Sequence, residues 1–481
     1  MTQADFYTLF PVIFLTAWAS LLLLADLFIP KARKGITAIL AAVGFAAALG
    51  IVVEQIGQTG VGFSGMVTLD AFSTFVNALL LLTGLLGISI AYDYLRRMGI
   101  ERGEYYALLL FSVAGMMLMA QATDLIVIFL ALELLSIPLY VMAAFARPRV
   151  ESEEAGIKYF LLGAFAAAFL LYGIALVFGA TQATSFEGIA AALAGGTANL
   201  PLLTVAAALV LVGFAFKVAA VPFHMWTPDV YHGAPTSVTA FMAAGAKIAG
   251  FAALLRVFTT VFSSVAASLT PIFWVLAALT MIVGNLIAVS QTNIKRMLAY
   301  SSIAHAGYIL MAFVTYENPK VAPVAVASAL FYLASYLLTN FGSWGVVVAL
   351  EKEEGRGLEI ADFAGLGRRR PALAAAMTVF MLSLAGVPPT LGLVGKFYLF
   401  RAVIAGGYFW LAIIGVLTSL ISAYYYLRVV VVMYMREGEP RPVSESWLNL
   451  TWGAMAVLTV LLSFVPAPLF DWASRAVMRL F

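Results

Sequence analysis

The sequence predicts an all-α polytopic membrane protein with about 14 transmembrane helices, two inverted five-helix repeats (helices 4–8 and 9–13), and helices 7 and 12 broken. Three observations carry this. The 481 residues are 63% hydrophobic and 11% charged, with a mean hydropathy of +1.01, far from ordinary soluble composition. Apolar runs of about 20 residues recur throughout with short connections, and in lipid only helices or closed barrels satisfy their own backbone. Finally, Lys and Arg alternate between successive loops. Eighteen of the 27 follow odd-numbered spans and five follow even-numbered spans or lie in the C-terminal tail, the parity that the positive-inside rule requires of an even helix count.

In order, the spans run over 8–29, 35–54, 69–92, 105–122, 124–146, 156–179, 201–221, 235–255, 271–290, 298–315, 321–350, 371–405, 407–435 and 448–465. The N-terminus, MTQADFYTLFPVIF, has no basic segment or small-residue cleavage site, so its apolar run reads as the first mature helix. The charge bias puts both termini outside and the odd-numbered loops in the cytoplasm. Helices 1–3 (residues 1–98) hold no midspan ionisable residue apart from Asp26 and Asp70, both terminal, and read as scaffold, as does the C-terminal helix and tail (438–481).

Two spans are not ordinary. In LVGFAFKVAAVPFHMWTPDV, Pro222 removes a backbone donor just after Lys217, and the helix should break there and continue as a short amphipathic piece. In MLSLAGVPPTLGLVGKFYLF, Gly386, Pro388 and Pro389 interrupt the twelfth span. Val221-Pro222 and Val387-Pro388 lie 166 residues and five helices apart, in the seventh and twelfth spans, which predicts repeats over residues 99–260 and 261–437 in opposite orientation. Broken helices at matching places in such repeats point to an ion pathway.

The buried charges say what kind. Glu133 lies nine residues after Asp124, about 14 Å deep at 1.5 Å per residue, near the bilayer centre. Lys217, Lys247 and Lys396 are similarly embedded, at a cost of at least about 3 kcal/mol each on insertion scales, and His305 lies in SSIAHAGYIL. A purely structural Glu133–Lys217 pair would leave Lys247 and Lys396 unpartnered. A chain of groups that exchange protons and feel one another's charge explains all of them. His224 and His232 fit a loop or cap role, and Lys295 with Arg296 reads as anchoring at the cytoplasmic end of helix 9.

Other chemistry finds no support. The absence of Cys removes Cys-ligated clusters and disulfides, three histidines offer no haem-ligand pair, and a net charge of +3 gives no nucleic-acid footprint. No phosphate loop, metal cluster or activated nucleophile is present. A solute carrier or a membrane scaffold remains open on composition alone.

The stretches FLALELLSIPLYVMAAF, EAGIKYFLLGAF, FKVAAVPFHMWTPDVYHGAPTSVTAFMAAGAKIA, NIKRMLAYSSIAHAGY and GVPPTLGLVGKFYLF together resemble the antiporter-like membrane subunits of complex I, over roughly residues 100–435. The chain length and the lysine at 396 resemble the branch found in bacterial proton-translocating NADH:quinone oxidoreductase. The resemblance implies that Glu133 modulates Lys217, that Lys217 binds the proton, that Lys247 connects, that Lys396 leads to the exit, and that His305 belongs to the central axis. It also implies no cofactor in this chain, with NADH, FMN, iron–sulfur clusters and quinone in partner subunits of a hetero-oligomeric respiratory translocase in the bacterial cytoplasmic membrane. A subunit of a multi-subunit Na⁺/H⁺ antiporter, or of a ferredoxin-driven relative of complex I, is the alternative.

Overall fold

A computed structural model of the chain describes residues 2–352 and 355–477; Arg479, counted in the charge bias, lies outside them. Among the described residues, thirteen helices are long and apolar enough to cross a membrane, and the pair Pro371–Ala385 and Leu391–Ala405 supplies one further, interrupted crossing. The eighth (Thr236–Thr260), tenth (Ile294–Thr315) and eleventh (Ala322–Leu350) spans are almost wholly enclosed by other helices. The first, second, sixth, thirteenth and fourteenth show most of their surface to the outside, as lipid-facing helices do.

Local chemistry sets the helix starts. Asp70, Asp124 and Asn293 each accept from a backbone N–H in the first turn of the helix that follows, satisfying donors that would otherwise be orphaned. Small residues then set the spacing. Methyl groups added at Gly284 and Gly307 would lie 2.8 Å from Ala304 N and 2.7 Å from Met281 N, so the ninth (Ser263–Ser290) and tenth spans touch backbone to backbone.

Both expected breaks are present, and they are built alike. The seventh span, Leu200–Val218, stops at Ala219 in left-handed geometry (φ 62°), where the Ala220 N–H donates to Ala215 O at 2.8 Å and the Ala219 N–H to Phe216 O at 3.1 Å; the chain resumes as Trp226–Gly233. The first half of the twelfth stops at Gly386 (φ 87°), where the Val387 N–H donates to Leu382 O at 2.9 Å and the Gly386 N–H to Ser383 O at 3.1 Å. This is one terminating motif used twice. The caps lie 167 residues apart, not 166, because Pro389 stands three residues past its cap as Pro222 does.

Other features depart from expectation. The eighth span is not uniform: Met242–Ala246 forms a π-helical turn directly before Lys247, where a run of small side chains allows the wider winding. The sixth span begins at Val150, so Lys158 lies within a helix rather than a loop. A two-stranded hairpin pairs Gly60–Gly62 with Val67–Leu69, a small exception to the all-α expectation. Past the fourteenth span (Ser446–Phe464), Ala467–Val477 forms a further helix whose Trp472 packs edge-on against Phe75, ring centroids 4.6 Å apart.

Candidate functional site

Four of the ionisable side chains singled out by the sequence, on broken, bulged or enclosed helices, are buried: Lys217 is 5% exposed, and Lys247, His305 and Lys396 are each 3% exposed. Each finds polar partners, as a charge in lipid must.

Lys217 sits in the last turn before the first break. Its Nζ donates to Ser136 Oγ at 2.8 Å and to Tyr159 Oη at 3.3 Å, with the Tyr159 ring 5.5 Å away. Ser136 is one turn beyond Glu133 on the fifth span (Leu125–Ala143), so serine and carboxylate share a face. Glu133 is half-buried, its Oε1 accepts no hydrogen bond, and it interacts with Lys217 through space rather than through a hydrogen bond. The Phe216 carbonyl at the break, which accepts from the Ala219 N–H, also accepts from the Trp226 indole N–H at 3.0 Å.

Lys247 follows the π-turn and points to the tenth span, donating to Ser302 Oγ at 2.6 Å and to the Ser302 carbonyl, with its ammonium 5.5 Å from the Tyr336 ring centre. One turn along, His305 has both ring nitrogens engaged: Nδ1 with Tyr332 Oη at 2.6 Å and Nε2 with Tyr426 Oη at 3.1 Å. Tyr426 also hydrogen-bonds Ser301 Oγ. His305 feels the charges of Lys247 and Lys396 and so stands electrically between them.

Lys396 is on the second half of the twelfth span but is held by the end of the first. Its Nζ donates to the carbonyls of Leu384 and Ala385, both at 2.9 Å, and to Ser419 Oγ at 2.7 Å, with the Tyr308 ring centre 4.7 Å away. A helix C-terminus presents unpaired carbonyls and the negative end of the helix dipole, and these stand where a carboxylate otherwise would. Three acceptors match the three N–H groups of an ammonium.

Comparison with known proteins places this geometry. Residues 122–422 match the model of the NADH:quinone oxidoreductase/Mrp antiporter transmembrane family. The chain belongs to that family. NADH-quinone oxidoreductase subunit N of Chloroflexus aggregans is 48% identical over 99% of this chain and 98% of its own length, and that of Trichlorobacter lovleyi 47% over 97% and 96%. Among solved structures, a chain of respiratory complex I from Thermus thermophilus is 34% identical with a TM-score of 0.82, covering 96% of this chain and 99% of that one. A chain of the Mrp complex from Dietzia is 22% identical with a TM-score of 0.87, covering 100% and 98%, which shows the shared fold.

In this member of the antiporter family, several polar residues differ from the sequence reading. Lys295 is no surface anchor: it is 0% exposed and donates to Ala234 O at 2.7 Å. Arg256 is not in a loop; it makes a bidentate pair with Asp70, both contacts 2.9 Å, inside the bundle. Lys158 and Arg296 both reach Asp229, fixing the short Trp226–Gly233 helix. His224 and His232 flank and end that helix with Nδ1 unpartnered, outside the lysine row. Among the described residues, no His, Cys, Asp and Glu cluster suits a metal ion.

Proposed function

We propose that this chain is the antiporter-like, proton-translocating membrane subunit of a respiratory NADH:quinone oxidoreductase. The observation that carries the reading is the row of buried ionisable groups, Lys217, Lys247, His305 and Lys396, set at two helix breaks and a π-turn and bridged by serine and tyrosine hydroxyls.

In the proposed cycle an ionised Glu133 stabilises the ammonium of Lys217. When a neighbouring subunit moves and weakens that interaction, the proton leaves Lys217 and passes through Lys247 and His305 toward Lys396. One pKa unit corresponds to about 1.4 kcal/mol, so strengthening or losing an ion pair in a low-dielectric site suffices to drive such a transfer. Residues 99–260 and 261–437 would act as two inverted halves of the path, flanked by the scaffold of 1–98 and 438–481. Partner membrane subunits would transmit redox energy, and NADH, FMN, iron–sulfur clusters and quinone would be held elsewhere in the assembly. The multi-pass chain would lie in the bacterial cytoplasmic membrane with both termini outside. A subunit of an Na⁺/H⁺ antiporter or of a ferredoxin-driven complex would share the fold, but full-length identity to curated subunits N favours the respiratory assembly.

The test is Lys217→Ala and Glu133→Ala in the assembled complex, measuring protons moved per NADH oxidised. Both should lower that ratio. Pumping at the wild-type ratio with normal electron transfer would sink these roles.

A further inference from the structure

The eleventh span carries Tyr332, Tyr336, Asn340 and Trp344 at four-residue intervals, and Glu351 follows seven residues on. Steps of four and seven keep side chains on one helix face, and this face is buried throughout. It starts at His305, bound by Tyr332, and passes Lys247 at Tyr336. Asn340 Nδ2 then donates to Ala240 O at 3.3 Å while its Oδ1 accepts from Trp344 Nε1 at 3.1 Å, and Trp344 lies 6.3 Å from the Tyr231 ring. The face ends at Glu351, on the basic side of the bundle, beside Lys295 and Tyr94.

Glu351 is anomalous. It is 1% exposed, yet among the described residues no donor makes a regular hydrogen bond to either carboxylate oxygen, the Tyr94 hydroxyl being only a loose neighbour, and the nearby Lys295 ammonium is tied to Ala234 O instead. A buried carboxylate held this loosely is strongly unfavourable, and such an exception asks for a reason.

We propose that Glu351 is the proton-loading carboxylate of a second uptake path, which delivers protons from the basic end of the bundle along the Trp344–Asn340–Tyr336 face to Lys247. This rests on reading Lys247 as a proton carrier. The Glu351 carboxylate takes a proton from solvent, forming an O–H bond. That bond breaks as the proton passes through water to the neutral amine of Lys247, which becomes an ammonium, and the carboxylate is restored. Asn340 and Trp344 carry no proton; they are positioning residues that offer fixed donors and acceptors to water. Lys247 is thereby filled without a proton first crossing Lys217.

The experiment uses the whole complex in inverted membrane vesicles with Glu351→Gln, Glu351→Asp and Lys247→Met. Assembly is followed on native gels and pumping as protons per NADH oxidised. The expected result is wild-type assembly of Glu351→Gln with a lowered proton ratio, restored by Glu351→Asp. A wild-type ratio in Glu351→Gln overturns the proposal, and so does its failure to assemble, because a neutral isostere preserves shape. An Asp variant as impaired as the Gln variant overturns it too. Normal pumping in Lys247→Met would remove the underlying reading of that lysine, whereas impaired Lys247→Met with normal Glu351→Gln removes the uptake path alone.

Discussion

Gly386→Ala tests whether the second helix break holds Lys396 in place. Gly386 has φ 87°, a conformation that costs an L-residue about 1–2 kcal/mol. The added methyl would also lie 2.9 Å from Lys396 Cδ, so the lysine side chain must shift. If it gives up one of its two carbonyl partners, a hydrogen bond to a charged group worth about 1.5–3 kcal/mol is lost. The combined effect on stability is about 2.5–5 kcal/mol, of which the lost hydrogen bond alone lowers occupancy of the seated ammonium by about ten- to a hundredfold. The equivalent cap, Ala219, already holds φ 62° with a methyl, so Ala219→Gly relieves a similar strain but adds glycine's entropic penalty of about 0.5–1 kcal/mol, leaving a net change within about 1 kcal/mol. Thermal dissociation of the purified complex, with protons per NADH in reconstituted vesicles, separates the two. Gly386→Ala should be less stable and pump less while Ala219→Gly stays near wild type; a harmless Gly386→Ala, or equal damage from both, would refute the account.

Three further outcomes follow from named contacts. Arg256→Met strands Asp70 as a buried unpaired charge and should cost about 3–5 kcal/mol of stability, whereas Asp70→Ser with Arg256→Met keeps a helix cap and should recover most of it, read as the yield of assembled complex. Tyr426→Phe removes the hydroxyl joining His305 to Ser301, and should lower protons per NADH without lowering assembly. Asp229→Asn deprives Lys158 and Arg296 of their shared carboxylate; because the pair is partly exposed, the loss should be small and should shrink further in high salt, checked by thermal dissociation at two ionic strengths.

Spans, breaks and the lysine row were legible because each has a signature in the residues themselves: length and apolarity for the spans, a missing backbone donor for Pro222 and Pro389, and sheer rarity for charges within lipid. Lys295 was not, since a cation at a helix end satisfies the positive-inside rule whether or not neighbouring helices enclose it. The Asp70–Arg256 pair joins residues far apart in the chain, and no local pattern announces it. The π-turn leaves only a run of small residues, which many spans share. The helix caps lie 167 residues apart while the Val-Pro match gives 166, because that match fixes on Pro388, whereas Pro389 occupies the position of Pro222 relative to its cap.

The two breaks place their lysines in unlike surroundings. Lys396 is caged by two fixed carbonyls and Ser419, with no carboxylate among its bonded partners; Lys217 has two hydroxyls and a carboxylate within electrostatic range. The first site therefore has a carboxylate as its counter-charge, and the second only backbone carbonyls and a hydroxyl. Removing one hydroxyl from each should expose the difference. Ser419→Ala leaves Lys396 two of its three acceptors, whereas Ser136→Ala takes the shorter of Lys217's two bonds and throws that lysine more heavily onto Glu133. Combined with Glu133→Gln, Ser136→Ala should then be non-additive by more than about 0.5 kcal/mol, a factor above about 2 in proton transfer rate, while Ser419→Ala combines additively. Equal coupling in the two pairs would mean that Glu133 acts on the whole path at once, and that Lys217 is not where a neighbouring subunit's movement enters it.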